Sequence, residues 1–217
     1  MTYLELVNSI LIRLREREVS AVTENSYAKL IGQFVNEAKR NVEDAWNWNA
    51  LRKTLTATTQ ADVFNYELNT AGARFRVLDV VNDTSNSFME QRSSTWFNDA
   101  FLNATGAVER GEPQYYSFNG VSVDGDTQVD IYPIPNDVYT IRFNLVDPQD
   151  NLVNNSDTLL VPSEPVMLGA YARAVAERGE DGGISAQEAS LFAYSSLTDH
   201  IAIEANHFPD ELVWRTI

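Results

Sequence analysis

The segment that decides the fold runs from Gly111 to Pro165 and reads GEPQYYSFNGVSVDGDTQVDIYPIPNDVYTIRFNLVDPQDNLVNNSDTLLVPSEP. Short runs of alternating apolar residues are separated by turn-forming sequences: Asn119-Gly120, Asp124-Gly125 and the segment Pro133 to Asp137. This spacing is typical of an antiparallel β meander.

Apolar residues occupy every second position of the clearest strand, and one face carries Tyr139, Ile141, Phe143 and Leu145. We expect its partner strand to hold Val129 and Ile131 on the buried face. Pro133 and Pro135 cannot donate to a sheet hydrogen bond, so they should end the partner strand and begin the turn.

Helical periodicity precedes the β segment. Thr2 and Glu5 have capping-box spacing, and the first helix should bury Leu4, Val7, Leu11 and Leu14. A second helix is predicted from Ser26 to about Trp46, with a buried stripe of Leu30, Ile31, Phe34, Ala38, Val42 and Ala45. Its flanking cations, Lys29, Lys39 and Arg40, should be exposed. Trp46 and Trp48 are anchors of the core or of a subunit interface.

Strand-like alternation returns after Leu51, and a short helix from Ser94 to Ala104 is expected within the β region. The segment 84–92 has no pattern that assigns it a role. Asp147 to Ser156 lacks an apolar pattern and is predicted to be a mobile loop or a bridge between layers.

Two helices and a glycine-rich turn at 179–183 are predicted after Pro162. The first is unusually rich in small residues, so another element should pack closely against it. Ser185 and Glu188 form a second capping box. The helix that they open should face the core with Leu191, Tyr194, Leu197, Ile201 and Ala205.

The predicted fold is therefore α+β. Residues 1–53 and 163–217 should form a helical bundle, and residues 54–162 an inserted antiparallel β-rich module with one short helix.

Charge is unevenly distributed along the 217 residues, whose formal net charge is −15. Residues 1–53 have a net charge of +1, and residues 54–217, which contain no lysine, have −16. Affinity for nucleic acid depends mainly on basic side chains that neutralise phosphates, so this composition argues against a DNA-binding protein. The excess acid serves either solubility or a specific surface.

Catalytic and metal-binding patterns are not found. The chain has no cysteine, and His200 and His207 lack the companions of a metal site. Asp124, Asp126 and Asp130 lack the full spacing of a calcium loop. We therefore expect no enzyme activity, cofactor or metal. No apolar run is long enough to cross a membrane.

The turn residues and aromatics described above also carry a family resemblance. The series Gly111-x-Pro113-x-Tyr-Tyr, Gly120, Ile131-Tyr-Pro-x-Pro135, Tyr139, Asp157 and Pro162, together with Trp46-Asn-Trp48, resembles the head–tail connector (adaptor) proteins of tailed bacteriophages.

The resemblance implies a structural virion protein, made in the host cytoplasm and located in the neck between capsid and tail. Such adaptors form a homo-oligomeric ring, usually a homododecamer of twelve copies, between the portal protein and a tail or nozzle protein. DNA passes through the ring during ejection without being specifically bound.

Two sets of residues are candidate sites for such partners. We expect Asp124, Asp126, Asp130 and Asp137 to face either the lumen of the ring or a basic tail component. The final six positions contain four large apolar residues, Leu212, Val213, Trp214 and Ile217, with Arg215 as the polar neighbour of Trp214. They should dock into the portal or a neighbouring subunit, although folding back onto their own bundle is a serious rival.

An alternative function is a non-enzymatic, adhesin-like β module that binds carbohydrate or protein at the tail. Its stacking surface would consist of Tyr115, Tyr116, Phe118, Tyr132 and Tyr139. The same residues could instead be core and cross-strand pairs.

Overall fold

The computed structural model describes residues 1–68, 74–102, 106–179 and 184–207. These residues form five α-helices: α1 (Tyr3–Arg13), α2 (Ser26–Ala45), α3 (Ser94–Leu102), α4 (Ser163–Arg178) and α5 (Ala186–Ala205). Ten short strands lie between α2 and α4, which confirms the α+β class.

The chain divides into two compact units, Met1–Leu51 with Gln149–Ile217 and Arg52–Pro148. The first contains α1, α2, α4 and α5, and the second contains α3 and the strands. The domain limits predicted from the sequence, at residues 53 and 163, remain a prediction.

The strands of the second unit form two four-stranded sheets and a two-stranded ribbon. The first sheet has the order β1 (Arg52–Thr58), β10 (Thr140–Val146), β3 (Arg76–Asn82) and β4 (Ser87–Phe88). The second has the order β2 (Asn65–Leu68), β8 (Thr127–Tyr132), β7 (Tyr115–Val121) and β5 (Glu90–Gln91). The ribbon pairs β6 (Arg110–Gly111) with β9 (Ile134–Pro135) in parallel.

The predicted pairing of the strand at Val129 with the strand at Phe143 is wrong. β8 pairs with β2 and β7, whereas β10 pairs with β1 and β3. The prolines do end β8, but the chain then forms β9 and crosses to the other sheet instead of turning back. Asn119-Gly120 is also not a turn, because it lies at an irregularity within β7, where Gly120 has φ +94°.

The alternation predicted for β10 is confirmed, since Ile141, Phe143 and Leu145 are buried. They share one core with residues of β2, β3, β7 and β8. Residues 87–91, to which the sequence assigns no role, link the two sheets at one edge: β4 pairs with β3, β5 pairs with β7, and the intervening Met89 enters the same core.

The N-terminal ends of α1 and α5 form as the sequence predicts, because both capping boxes are present. The buried face of α1 is rotated from the predicted stripe: Tyr3, Leu6 and Ile10 are buried together with Val7 and Leu11, whereas Leu4 and Leu14 are only half-buried. Trp48 is a core anchor, 2% exposed, and its indole Nε1 donates to the Val42 carbonyl at 2.6 Å.

The stripe predicted for α2 is only partly correct. Ile31, Ala38 and Val42 are buried, but Leu30 and Phe34 are half-buried and Ala45 is exposed. The buried face also includes Ala28, Gly32, Val35, Lys39 and Glu43.

Lys39 is the largest departure, because it was expected at the surface and is 0% exposed. Its Nζ donates to Glu43 Oε1 at 2.9 Å and to the Gln149 carbonyl at 2.5 Å. The Gln149 backbone N–H donates to the same Glu43 oxygen at 3.2 Å. A buried charge is tolerated only with such partners.

The segment after Gln149 is held along α2 by further polar side chains. The Asn36 amide donates to the Leu152 carbonyl at 3.0 Å and accepts from the Leu152 N–H at 2.8 Å. Arg40 Nη2 donates to Asn151 Oδ1 at 3.0 Å. We call Asn36, Lys39, Arg40 and Glu43 the polar seam of α2. The polar seam fixes part of the segment from Asp147 to Ser156, which the sequence predicts to be either a mobile loop or a bridge between layers.

The small residues of α4 allow the close packing that the sequence predicts. A Cβ added at Gly169 would lie 3.3 Å from the Ala38 Cβ, closer than most such contacts. α4 therefore approaches α2 through the smallest side chains available, and α5 packs on α4. Residues 180–183 of the predicted turn lie outside the described residues.

We predict that Lys39→Met lowers the free energy of unfolding by about 3–5 kcal/mol, because it leaves the buried Glu43 carboxylate without its cation. The double substitution Lys39→Met with Glu43→Leu should lower the free energy of unfolding by less than Lys39→Met alone. Urea denaturation followed by helical circular dichroism measures both.

The matched control for this prediction is Lys29→Met, which removes an exposed lysine of the same helix. It should change the free energy of unfolding by no more than about 0.5 kcal/mol. Equal stability of the Lys39 and Lys29 variants would contradict the role assigned to the pair.

Candidate functional site

α5 begins at a fully formed capping box. Ser185 Oγ accepts from the Glu188 N–H at 3.2 Å, and the Ser185 N–H donates to Glu188 Oε2 at 3.0 Å. Hydrogen bonds from the Ser185 backbone and hydroxyl lower the pKa of the Glu188 carboxyl. The helix start is therefore set by local chemistry, independently of which side of the helix is buried.

The side of α5 that packs inward is not the one predicted. Leu191 and Tyr194 were expected in the core and are 63% and 68% exposed. Leu197, Ile201 and Ala205 are half-buried, and the buried residues are Ala189 and Ser196. The reason lies in α4, whose small side chains favour close helix packing through equally small residues of α5 and leave the large ones outside.

Large apolar side chains consequently face outward along the helix. We define the α5 apolar surface as Leu191, Phe192, Tyr194 and Ile203, each more than half exposed. The 20 residues of α5 include three acids and neither lysine nor arginine. A helix with apolar residues on all sides is normally buried, and an exposed apolar patch usually marks an interaction site.

Two grooves flank α5. The first, which we call the alanine groove, has a volume of about 440 Å³ and lies between α2, α4 and α5. Its lining is mostly small or apolar and includes Ala38, Gly169, Ala172, Ala176, Ala193, Tyr194 and Leu197, and its one charged lining residue is Arg173.

The second groove, which we call the polar groove, has a volume of about 470 Å³ on the other side of α5. It is lined by Arg13, Glu164, Leu168, Tyr171, Ile184, Ala189, Phe192, Ser195, Ser196, Asp199 and His200. Ser196 is only 9% exposed, and among the described residues its Oγ has no hydrogen-bond partner. Both grooves are open to solvent.

The four predicted acidic residues do not form one exposed patch. Asp124 is exposed and Asp126 half-buried in the turn before β8, whereas Asp137 is exposed in the loop between β9 and β10. Both β8 and β9 lie between the two positions along the chain. Asp130 must be removed from the set, because it is 8% exposed and accepts from Asn65 Nδ2 at 2.6 Å.

The aromatic residues of the alternative, carbohydrate-binding function are also dispersed. Tyr116 is buried in the β core, and Phe118 packs against it. Tyr115 and Tyr132 instead lie beneath Trp96 of α3, with ring centroids 5.0 and 5.5 Å away. Four of the five residues therefore divide between two separate environments and provide no common stacking surface.

The remaining sequence predictions concern the last residues of the chain, metal ions and membranes. Leu212, Val213, Trp214, Arg215 and Ile217 lie outside the described residues. Within the described ranges, His, Asp and Glu do not gather into a group of three or more that could hold a metal ion. Nor is any helix in those ranges long and apolar enough to cross a membrane.

Comparison with known proteins gives one finding that decides the family. The family model described as SU10 adaptor protein matches residues 1–207. The chain belongs to this family of phage head–tail adaptors. No curated protein matches the adaptor.

Family membership makes the adaptor a structural component of a bacteriophage, as the sequence resemblance implied. The exposed apolar surface of α5 was not predicted from the sequence. The signal was present, because the predicted helix at 186–205 has apolar residues on all sides and no Lys or Arg. Because one face of this helix was assigned to the core, the exposure of its large apolar residues was not predicted.

We predict that Leu191→Ala leaves the stability of the free adaptor within about 0.5 kcal/mol of the wild type, because the side chain is largely exposed. The same substitution at Leu11, which is 2% exposed, should cost about 2–5 kcal/mol. Thermal and urea unfolding of both variants provide the comparison. A large loss at Leu191 would show that this side chain is packed within its own subunit.

Proposed function

We propose that the adaptor assembles as a homo-oligomeric ring of twelve copies in the virion neck, joins the portal protein to the tail or nozzle, and forms part of the DNA conduit. The observation that carries this proposal is the α5 apolar surface, which the described residues of a single copy leave exposed. An adaptor must bind other subunits, and a large apolar surface provides the free energy to do so. We assign the adaptor no catalytic activity.

The acidic charge supports passage of DNA without retention. Each subunit carries −15, and Asp124 and Asp137 are exposed. A ring with acidic residues on its inner wall avoids the phosphate contacts by which proteins hold DNA. The same residues would suit a basic tail component if they face outward.

The charge also opposes unaided assembly. Neighbouring copies repel one another at low salt, and the repulsion is screened over a distance that shortens as salt is added. We therefore propose that ring closure occurs mainly on the portal.

The last residues of the chain are proposed to dock into the portal or a neighbouring subunit. Leu212, Val213, Trp214 and Ile217 provide apolar contacts, and Arg215 lies beside the tryptophan. Tryptophan and arginine are enriched among residues that dominate binding energy. Each buried apolar side chain would contribute roughly 1.5–3 kcal/mol.

We predict that a phage with a stop codon early in the gene for this chain produces heads and tails that remain separate in a non-suppressing host. Electron microscopy of lysates and plaque counts measure the defect, and the intact chain supplied from a plasmid should restore joined particles. Normal infectious virions without the chain would refute the adaptor function.

The same complementation assay tests the docking segment. A chain ending at Phe208 should keep the melting temperature of the full chain and fail to restore joined particles. A fall of many degrees in melting would instead show that the segment stabilises its own subunit, and the docking proposal would be abandoned.

A further inference from the structure

The two sides of α5 differ in a way that suits contact between identical copies. One side borders the alanine groove, where small residues leave a depression. The other side carries Phe192, which is 56% exposed and borders the polar groove. A single chain therefore presents both a recess and a side chain able to fill it.

We infer that Phe192 and Leu191 of one copy pack into the alanine groove of the next copy, in a head-to-tail contact. The inference rests on the proposed ring and names the surfaces that build it. Because the recess and Phe192 lie on opposite sides of one helix, the contact uses two different surfaces, and such heterologous contacts generate rings when the rotation closes.

The depth of the groove follows from the packing of the helices. α2 and α4 meet at Ala38 and Gly169 with little space for a larger side chain. Ala172 and Ala193 continue the groove toward α5, and the exposed Ala176 lies at its edge. The space left by small residues can admit an aromatic ring, as in recognition of a helix by a groove.

Charge favours a second copy as the occupant. The one charged residue that lines the alanine groove is Arg173, about a third of which is exposed. Asp199 lies two helical turns after Phe192 and lines the same groove as that residue. The inserted helix α5 has no lysine or arginine, so it brings an acid toward Arg173. Arg173 Nε also lies 3.4 Å from Glu37 Oε2 within its own copy, and Arg13 and His200 line the polar groove beside Asp199.

Ser196 provides a second reason to expect a protein neighbour beside Phe192. Its hydroxyl lines the polar groove and is nine-tenths buried without a partner among the described residues. Leaving a buried hydroxyl unsatisfied is costly, and a backbone or side-chain acceptor from an adjacent copy would satisfy it.

Disulfide cross-linking tests the contact directly, because the chain has no cysteine of its own. Leu191→Cys and a mass-tagged Ala176→Cys are purified separately, mixed in about 1 M salt, where the screening length is about 3 Å, and oxidised with copper phenanthroline. Both positions are exposed, so folding should be unaffected. Val153→Cys, an exposed position, is mixed with the same Ala176→Cys chain as a control. The yield of mixed dimer from Leu191→Cys should be at least about tenfold higher than the yield from this control.

A further arm adds Phe192→Asp to the Leu191→Cys chain, which should reduce the mixed dimer to the control level. Leu191→Cys chains that cross-link to one another faster than to Ala176→Cys would indicate a two-fold contact and overturn the head-to-tail arrangement. Rings visible by electron microscopy without the mixed dimer would also overturn it, while leaving the proposed function intact.

Discussion

The buried pair of Lys39 and Glu43 is the interaction on which the helical unit depends. It holds both the carbonyl and the N–H of Gln149, the residue with which the chain rejoins this unit after the β region. The rest of the polar seam then fixes residues 151 and 152 along α2. A segment without apolar periodicity is thereby held along α2 by hydrogen bonds. Lys39 and Glu43 are fully buried, and either one alone would be a buried charge without its counter-ion, so a shift of Gln149 along α2 would be costly.

Placement of that segment leads directly to α4, which begins at Ser163. α4 meets α2 through Gly169 and Ala38, so the two helices lie close together. α5 in turn packs on α4 with Ala189 and Ser196, and its large apolar residues point outward. The exposed apolar surface is thus a consequence of packing by small residues. A protein that assembles with other subunits can carry such a surface, whereas a free monomer would be at risk of aggregation.

Local rules were sufficient for some features of the fold and not for others. The caps at Thr2 and Ser185 and the alternation along β10 depend on neighbours in the sequence, and they were predicted correctly. The burial of Lys39 was missed because its partner Gln149 is 110 residues away and a lysine beside an apolar stripe resembles an exposed flank. The strand pairing was missed because prolines that end a strand do not reveal where the chain goes next. The outward face of α5 depends on how closely α4 allows it to approach, which residue periodicity does not encode.

Hydroxyl-radical footprinting with mass spectrometry, on the free adaptor and on purified phage particles, tests the central claim that the α5 apolar surface is an assembly surface. We expect Leu191, Phe192 and Tyr194 to be labelled readily in the free chain and to become protected in the particle. Trp48, which is buried within its own subunit, should be labelled weakly in both. Equal labelling of the three α5 residues in both states would show that this surface is not used in assembly.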